Sequence, residues 1–360
     1  MEKNAEKKTS TKSKNAINVS QSHVTVSFGK GLVMILLASL LLSFQNVVTR
    51  IILKNQPSVI GIFSDVGGFL APSFANSVLI MILRMAIVAP IMALLVAPRL
   101  YKNTWKDMKE LRKPQERKRL IYAITSALFL FMSQLFIYVA LGNVPTGVAT
   151  TIFFIYPTFT VLFSMILFKE KPSLILVLAM IVIYIGGFLT VPAKSFSHTH
   201  IPGSDPLLGT ITAVISGIAF AGYMVMIKMA KMHPAPFTII SFSIILLLGL
   251  LVMPFVISHV TVADWNGLFI GIVFLALTTL LGYLLNNSGV PIVGPAFASV
   301  ISSSGPAVTV IMAFLIIHED LVFKQDLGVT LVTLGVLGIS MENLRKNKKA
   351  KLQKASNTAE

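Results

Sequence analysis

Apolar runs of about 20 residues, separated by short polar stretches, follow one another from residue 31 to residue 343. A helix rising about 1.5 Å per residue needs that length to cross roughly 30 Å of hydrocarbon, so the pattern predicts an all-α integral membrane protein. Ten runs stand out: 31–53, 76–97, 120–141, 146–168, 174–192, 208–230, 237–257, 267–286, 293–317 and 327–343. Residues 1–30 and 344–360 are polar and lysine-bearing and are expected to form disordered tails. The first run is too long for a signal-peptide core and lacks a clear small-residue cleavage site, so it reads as a membrane helix.

The runs are not independent of one another. The segment Pro145 to Glu170 recurs 149 residues later, without a gap, as Gly294 to Glu319. Each copy holds a proline within its apolar run (Pro157, Pro306), a threonine three residues on (Thr160, Thr309) and a glutamate thirteen on (Glu170, Glu319). Gly186 and Gly335 keep the same offset, and the first and sixth runs align more weakly at 178, setting Gln45 against Tyr223. The chain therefore divides into a first five-helix repeat, 31–192, and a second, 208–343. Five crossings is an odd number, so the second copy enters from the opposite side and the repeats are inverted. The connections agree: Phe168-Lys169-Glu170-Lys171 is net basic, whereas the matching Ile317-His318-Glu319-Asp320 is net acidic.

Composition excludes an ordinary soluble domain, with 55% hydrophobic side chains, 12% charged, and a mean hydropathy of +0.81. The net charge of +16 raises the question of a nucleic-acid partner, and the placement of the 30 basic residues answers it. Six lie before residue 31, nine from Arg99 to Arg119 and six from Arg345 to Lys354, all on one predicted face with Lys169, Lys171, Lys228 and Lys231. Only Lys54, Lys194 and Lys324 lie on the other face, the positive-inside bias of a membrane protein with both termini in the cytoplasm. The expected partners are a lipid bilayer, with anionic lipid at the basic tails, and a small-molecule substrate, with no nucleic acid. Monomer and homodimer are both compatible. The chain has no cysteine, and its six histidines fall in tails, loops and helix ends, so no metal site or other cofactor is expected. No nucleophile–base pair, paired intramembrane carboxylates or glycine-rich phosphate loop points to an enzyme.

Ten spans in two inverted repeats, an arginine in the second span (Leu83-Arg84-Met85), and fourth- and ninth-span signatures ending in Phe-Lys-Glu and Ile-His-Glu resemble the EamA-type drug/metabolite transporters. The resemblance spans residues 31–343. It implies a permease of the inner membrane that exports or exchanges small metabolites, amino acids and related compounds. This chain departs from the family in a longer first connection, Asn55 to Ala75, and in having Ser302-Ser303-Ser304-Gly305 where the first copy has Phe153-Phe154-Ile155-Tyr156.

Arg84 is the most informative single residue, because an arginine inside an apolar span costs about 2.5–3.5 kcal/mol on insertion scales. Two readings stand: a cavity wall that meets a substrate carboxylate, with Asp65 or Asp264 as alternative partners, or a side chain snorkelling to the interface. Pro157 and Pro306 each remove a backbone hydrogen bond and are expected to act as kinks and gating elements. Candidate substrate-binding residues are Gln45, Gln134, Tyr138, Thr150, Thr151, Tyr156, Tyr223, Asn287, Ser302 and Ser303, with Asn46, Tyr283 and Asn286 as further polar groups expected to face the bundle. The sequence reads as a secondary-type transporter of a small organic metabolite, amino-acid-like or carboxylate-bearing, working by alternating access. The alternatives are a non-transporting receptor or scaffold that recruits partners through its basic tails, a channel, and an integral-membrane transferase.

Overall fold

In lipid a backbone must satisfy its own hydrogen bonds, and the chain does so as helices. The computed structural model describes residues 28–53, 67–143 except 72, 149, 152–190 except 170, 205–308 except 306, 323–338 except 325, and 341. Among these the only extended pairing is an isolated antiparallel bridge between Leu70 and Val262. In chain order the helices are α1 (Phe28–Leu53), α2 (Phe74–Leu100), α3 (Thr104–Glu110), α4 (Arg117–Asn143), α5 (Tyr156–Phe168) and α6 (Leu174–Thr190). There follow α7 (Pro206–Ala230), α8 (Pro234–Val256), α9 (Trp265–Val293), α10 (Pro295–Ser302) and α11 (Asp326–Gly338). By length and composition six of the described helices can cross a membrane: α1, α2, α4, α7, α8 and α9. The apolar helices α5, α6 and α11 are shorter.

Helix starts are written in local chemistry. Ser73 caps α2 by accepting from the Asn76 N–H at 3.1 Å. Asp205 caps α7 and Asp264 caps α9, each carboxylate accepting two backbone N–H groups and countering the positive helix end. His233 caps α8 through Nδ1, which accepts from the Ala235 N–H at 3.2 Å, while its ring stacks on Tyr101 at 4.0 Å.

The most extensive packing joins α4 to α7 and α1 to α9; α2 crosses α8 and α5 meets α10. Exchanging each helix of the first half for its counterpart in the second turns α4–α7 into α9–α1 and returns α2–α8 to itself. The α6–α11 contact obeys the same rule and depends on two glycines. A Cβ on Gly186 would stand 2.7 Å from the Gly328 carbonyl oxygen, and one on Gly335 would stand 2.6 Å from Ile183. Both helices approach too closely for a side chain at either position.

The expected continuous helix over 146–168 is corrected. Helix at Ile152 and Phe153 gives way to a turn at Phe154–Ile155, and Pro157 lies in the first turn of α5. Proline suits that position because the amide it lacks has no helical partner there, so Pro157 follows a break and does not kink a continuous helix. The second copy repeats the feature at the same offset: Ile301 and Ser302 are helical, Ser303–Ser304 turn, and helix resumes at Gly305. Pro306, Thr150, Thr151 and most of the tails lie outside the described residues. Among the described residues Pro90, Pro254 and Pro291 lie in helix interiors, and Pro90 is followed by a wider π turn at Met92–Val96, with Pro98 in the last turn of α2.

Gly335→Leu is expected to destabilise by about 1–3 kcal/mol through overpacking, read as a lower apparent melting temperature in detergent. Gly187→Leu, whose Cβ meets nothing within 4 Å, should leave that temperature nearly unchanged. Burial lowers the His233 pKa below its usual 6.5, with Asp107 opposing the shift. The unfolded chain therefore binds more protons over that window, so stability is full above about pH 6.5 and is lost as pH falls below it. Melting at pH 5 and 7.5 should show this difference, and His233→Asn, which keeps a capping acceptor, should shrink it.

Candidate functional site

Ten residues from the start of α2, about 15 Å along its axis at 1.5 Å per residue, Arg84 stands near the middle of the span. Its side chain is 0% exposed, so it does not snorkel. Nη2 donates to Gln134 Oε1 on α4, and Gln134 Nε2 donates to the Tyr283 hydroxyl on α9 at 2.9 Å. Nε and Nη1 are buried with no hydrogen-bond partner among the described residues. Asp264, proposed from sequence as a counter-charge, is held at the N-terminus of α9 by Asn266 and Gly267, and Asp65 lies outside the described residues.

A second polar group is neutral. The Tyr223 hydroxyl on α7 donates to Asn287 Oδ1 at 2.5 Å and accepts from Asn286 Nδ2 at 3.3 Å. Asn287 Nδ2 donates to Thr238 Oγ1 on α8 at 3.0 Å. All four side chains are at most 2% exposed, so each hydrogen bond replaces water that cannot reach it. The two groups adjoin through the Tyr223 and Tyr283 rings, whose centroids are 6.2 Å apart. An aromatic run continues from Tyr223 to Phe220 (5.4 Å), Tyr156 (4.9 Å) and Phe153 (5.2 Å), which reaches the first helix break.

Tyr156, just after that break, donates to the Ser299 carbonyl just before the other, at 3.3 Å. At the second break Ser39 Oγ donates to the Ser302 carbonyl at 3.4 Å, and Ser43 Oγ to the Gly305 carbonyl at 3.1 Å. Ser303 Oγ turns back to the Val300 carbonyl at 2.6 Å. Ser303 Oγ thereby serves the Val300 carbonyl, which the Ser304 N–H has left for Ile301, while the Ser299 carbonyl that Tyr156 reaches also accepts the Ser303 N–H at 3.0 Å.

The structure thus brings Arg84, Gln134, Tyr283, Tyr223, Asn286, Asn287 and Tyr156 into one connected interior. Gln45 lies elsewhere, accepting from Thr279 Oγ1 at 2.7 Å between α1 and α9. Tyr138 is half-buried and Ser302 contributes its backbone carbonyl. Asn46 is exposed, contrary to the expectation that amides in the spans face the bundle. Thr238, Thr279, Ser39 and Ser43 were missed: isolated hydroxyls in apolar helices carry no signal of which face they occupy. Among the described residues no group of three or more His, Asp or Glu side chains could hold a metal ion. A pocket of about 470 Å³ lies well away from Arg84, between Leu53, Gly68, Leu70, Thr261 and Val262.

The EamA-like transporter family matches this chain twice, over residues 61–191 and 207–341. The chain belongs to that family. Its multiple apolar helices and this membership make it a multi-pass membrane transporter. This EamA-like transporter is 37% identical to "Uncharacterized transporter sll1319" of Synechocystis sp. over 316 residues, which cover 87% of this chain and 94% of that one. A crystal structure that is 16% identical has a TM-score of 0.64 to it, covering 88% of this chain and 98% of the other, a likeness of fold.

In this EamA-like transporter, Asn287→Leu leaves the Tyr223 and Thr238 hydroxyls without their amide. It is expected to destabilise by about 1–3 kcal/mol, measured as a fall in apparent melting temperature in detergent. Combining it with Tyr223→Phe should cost less than the sum of the two, because the partners share one bond.

Proposed function

We propose that the protein is a secondary-type transporter of a small organic metabolite, amino-acid-like or carboxylate-bearing, that moves its substrate by alternating access. The observation that carries this reading is Arg84: a fully buried guanidinium at mid-span with two nitrogens unpartnered among the described residues. A carboxylate is the ligand that both satisfies and neutralises such a group. Gln134, itself held by Tyr283, holds the arginine, and Tyr223, Asn286 and Asn287 offer neutral donors and acceptors for the rest of the molecule.

The supporting frame is two inverted five-helix repeats, 31–192 and 208–343, making ten crossings. Supporting it are the double family match, the symmetric packing of α4–α7 and α1–α9, and helix breaks recurring 149 residues apart. Breaks paired in this way serve as the gating elements of a carrier whose halves rock about a central site. The basic bias of residues 1–30, 99–119 and 345–354 supports cytoplasmic termini, and the family match supports an inner membrane.

Counterflow in proteoliposomes, with pooled small metabolites inside and labelled carboxylates outside, is the direct test. The wild-type protein should accumulate label by trans-acceleration, and Arg84→Ala, inserted and folded to the same extent, should lose at least tenfold of that flux. Unchanged flux in the variant would remove Arg84 from the substrate path.

A further inference from the structure

The charge inventory of the interior is lopsided. Of the described carboxylates, Asp107, Glu110 and Glu116 lie in the basic segment after α2, Asp205 and Asp264 cap helices, and Asp326 begins α11. None of these six stands at the depth of Arg84, and the remaining acidic residues of the chain fall in tails, connections and the end of the last apolar run. The groups around Tyr223 are hydroxyls and amides. Among the described residues the interior therefore holds one fixed positive charge, Arg84, and no fixed negative one.

Both ends of α2 are also closed over this charge. At its start Asn76 clasps the opposite loop, accepting from the Thr261 N–H at 3.0 Å and donating to the Thr261 carbonyl at 3.2 Å beside the Leu70–Val262 bridge. Beyond its end Tyr101 stacks on His233, and Arg119 Nη2 donates to the Lys231 carbonyl. Arg84 is sealed from solvent between these two closures.

We propose that the cargo is a net monoanion without an ammonium group, and that the protein works as an exchanger because only the loaded carrier crosses the sealed state readily. This rests on the transport reading above and deepens it. In a state open to either side, water solvates the guanidinium; in the sealed state an unpaired guanidinium stays dehydrated. On insertion scales that penalty corresponds to a factor of roughly 70 to 400 in population at a helix centre. A bound carboxylate cancels the charge, so the loaded passage escapes the penalty and the empty return bears it. A zwitterion would neutralise Arg84 but bring its own ammonium into an interior with no carboxylate among the described residues to receive it.

The test uses matched pairs that differ only in hydroxyl against ammonium: L-lactate with L-alanine, 2-hydroxyisocaproate with leucine, and 3-phenyllactate with phenylalanine. Each is labelled and measured in proteoliposomes of the full chain against protein-free vesicles. At least one hydroxy acid should show exchange tenfold or more faster than net efflux, with its amino acid partner moving at least tenfold more slowly. In Arg84→Gln the ratio of exchange to net efflux should fall towards one on the residual flux, a change that misfolding would not produce. Net efflux equal to exchange in the wild type overturns the exchanger while leaving transport intact. Amino acids carried as fast as their hydroxy acid partners overturn the monoanion class. Movement of neither class overturns both this proposal and the carboxylate reading on which it rests.

Discussion

A guanidinium held dry at the middle of a membrane span constrains everything around it. The cost of about 2.5–3.5 kcal/mol by insertion scales is too large for α2 to bear alone, so the neighbouring helices must supply compensation. Gln134 supplies it by orientation: its carbonyl oxygen faces the arginine and its amide nitrogen faces Tyr283. The reverse orientation would set a donor against a donor. One side chain thereby fixes α2, α4 and α9 to one another at mid-depth, and the rest of the polar interior is built outwards from that junction through the Tyr283 and Tyr223 rings.

The helix breaks follow from the same rule, that lipid offers no hydrogen bonds. The turn at Ser303–Ser304 that ends α10 gathers hydrogen bonds to its carbonyls from Ser39, Ser43, Ser303 and Tyr156, on three different elements. Several of these contacts, at 3.1–3.4 Å, are longer than the usual 2.7–2.8 Å for hydroxyl donors, so they hold the break without locking it. An element tied by weak bonds can exchange partners cheaply, which suits the proposed alternating access.

Periodic features of this kind were legible in the sequence. The 149-residue echo marked two corresponding segments that each contain a helix break, although the sequence reads them as continuous helices kinked at proline, and Gly186 and Gly335 sit at a close helix contact, because duplication preserves the backbone constraints that prolines and glycines express. Arg84, Gln134 and Tyr223 stood out because polar groups are expensive in apolar runs. What the sequence did not reveal was partnership. Asn46 and Gln45 are adjacent amides in the same run, yet one is exposed and the other bonds Thr279, a difference set by helix rotation against α9. Pro157 looked like a kink because an apolar run conceals a turn; Phe154 and Ile155 are as apolar as the helices they separate.

Duplication also explains why the site is unequal. Two identical halves would bring a charge from each, and two buried arginines facing each other across a pseudo-two-fold axis would repel at low dielectric. The chain avoids this. α8, the counterpart of α2, carries no charged residue from Pro234 to Val256, and contributes Thr238 to the neutral group instead. The breaks diverge in the same way, aromatic at Phe153–Tyr156 and hydroxyl-bearing at Ser302–Ser304. A frame that is symmetric in its helices and asymmetric in its polar groups suits the proposed rocking of two like halves around a molecule whose own two ends differ.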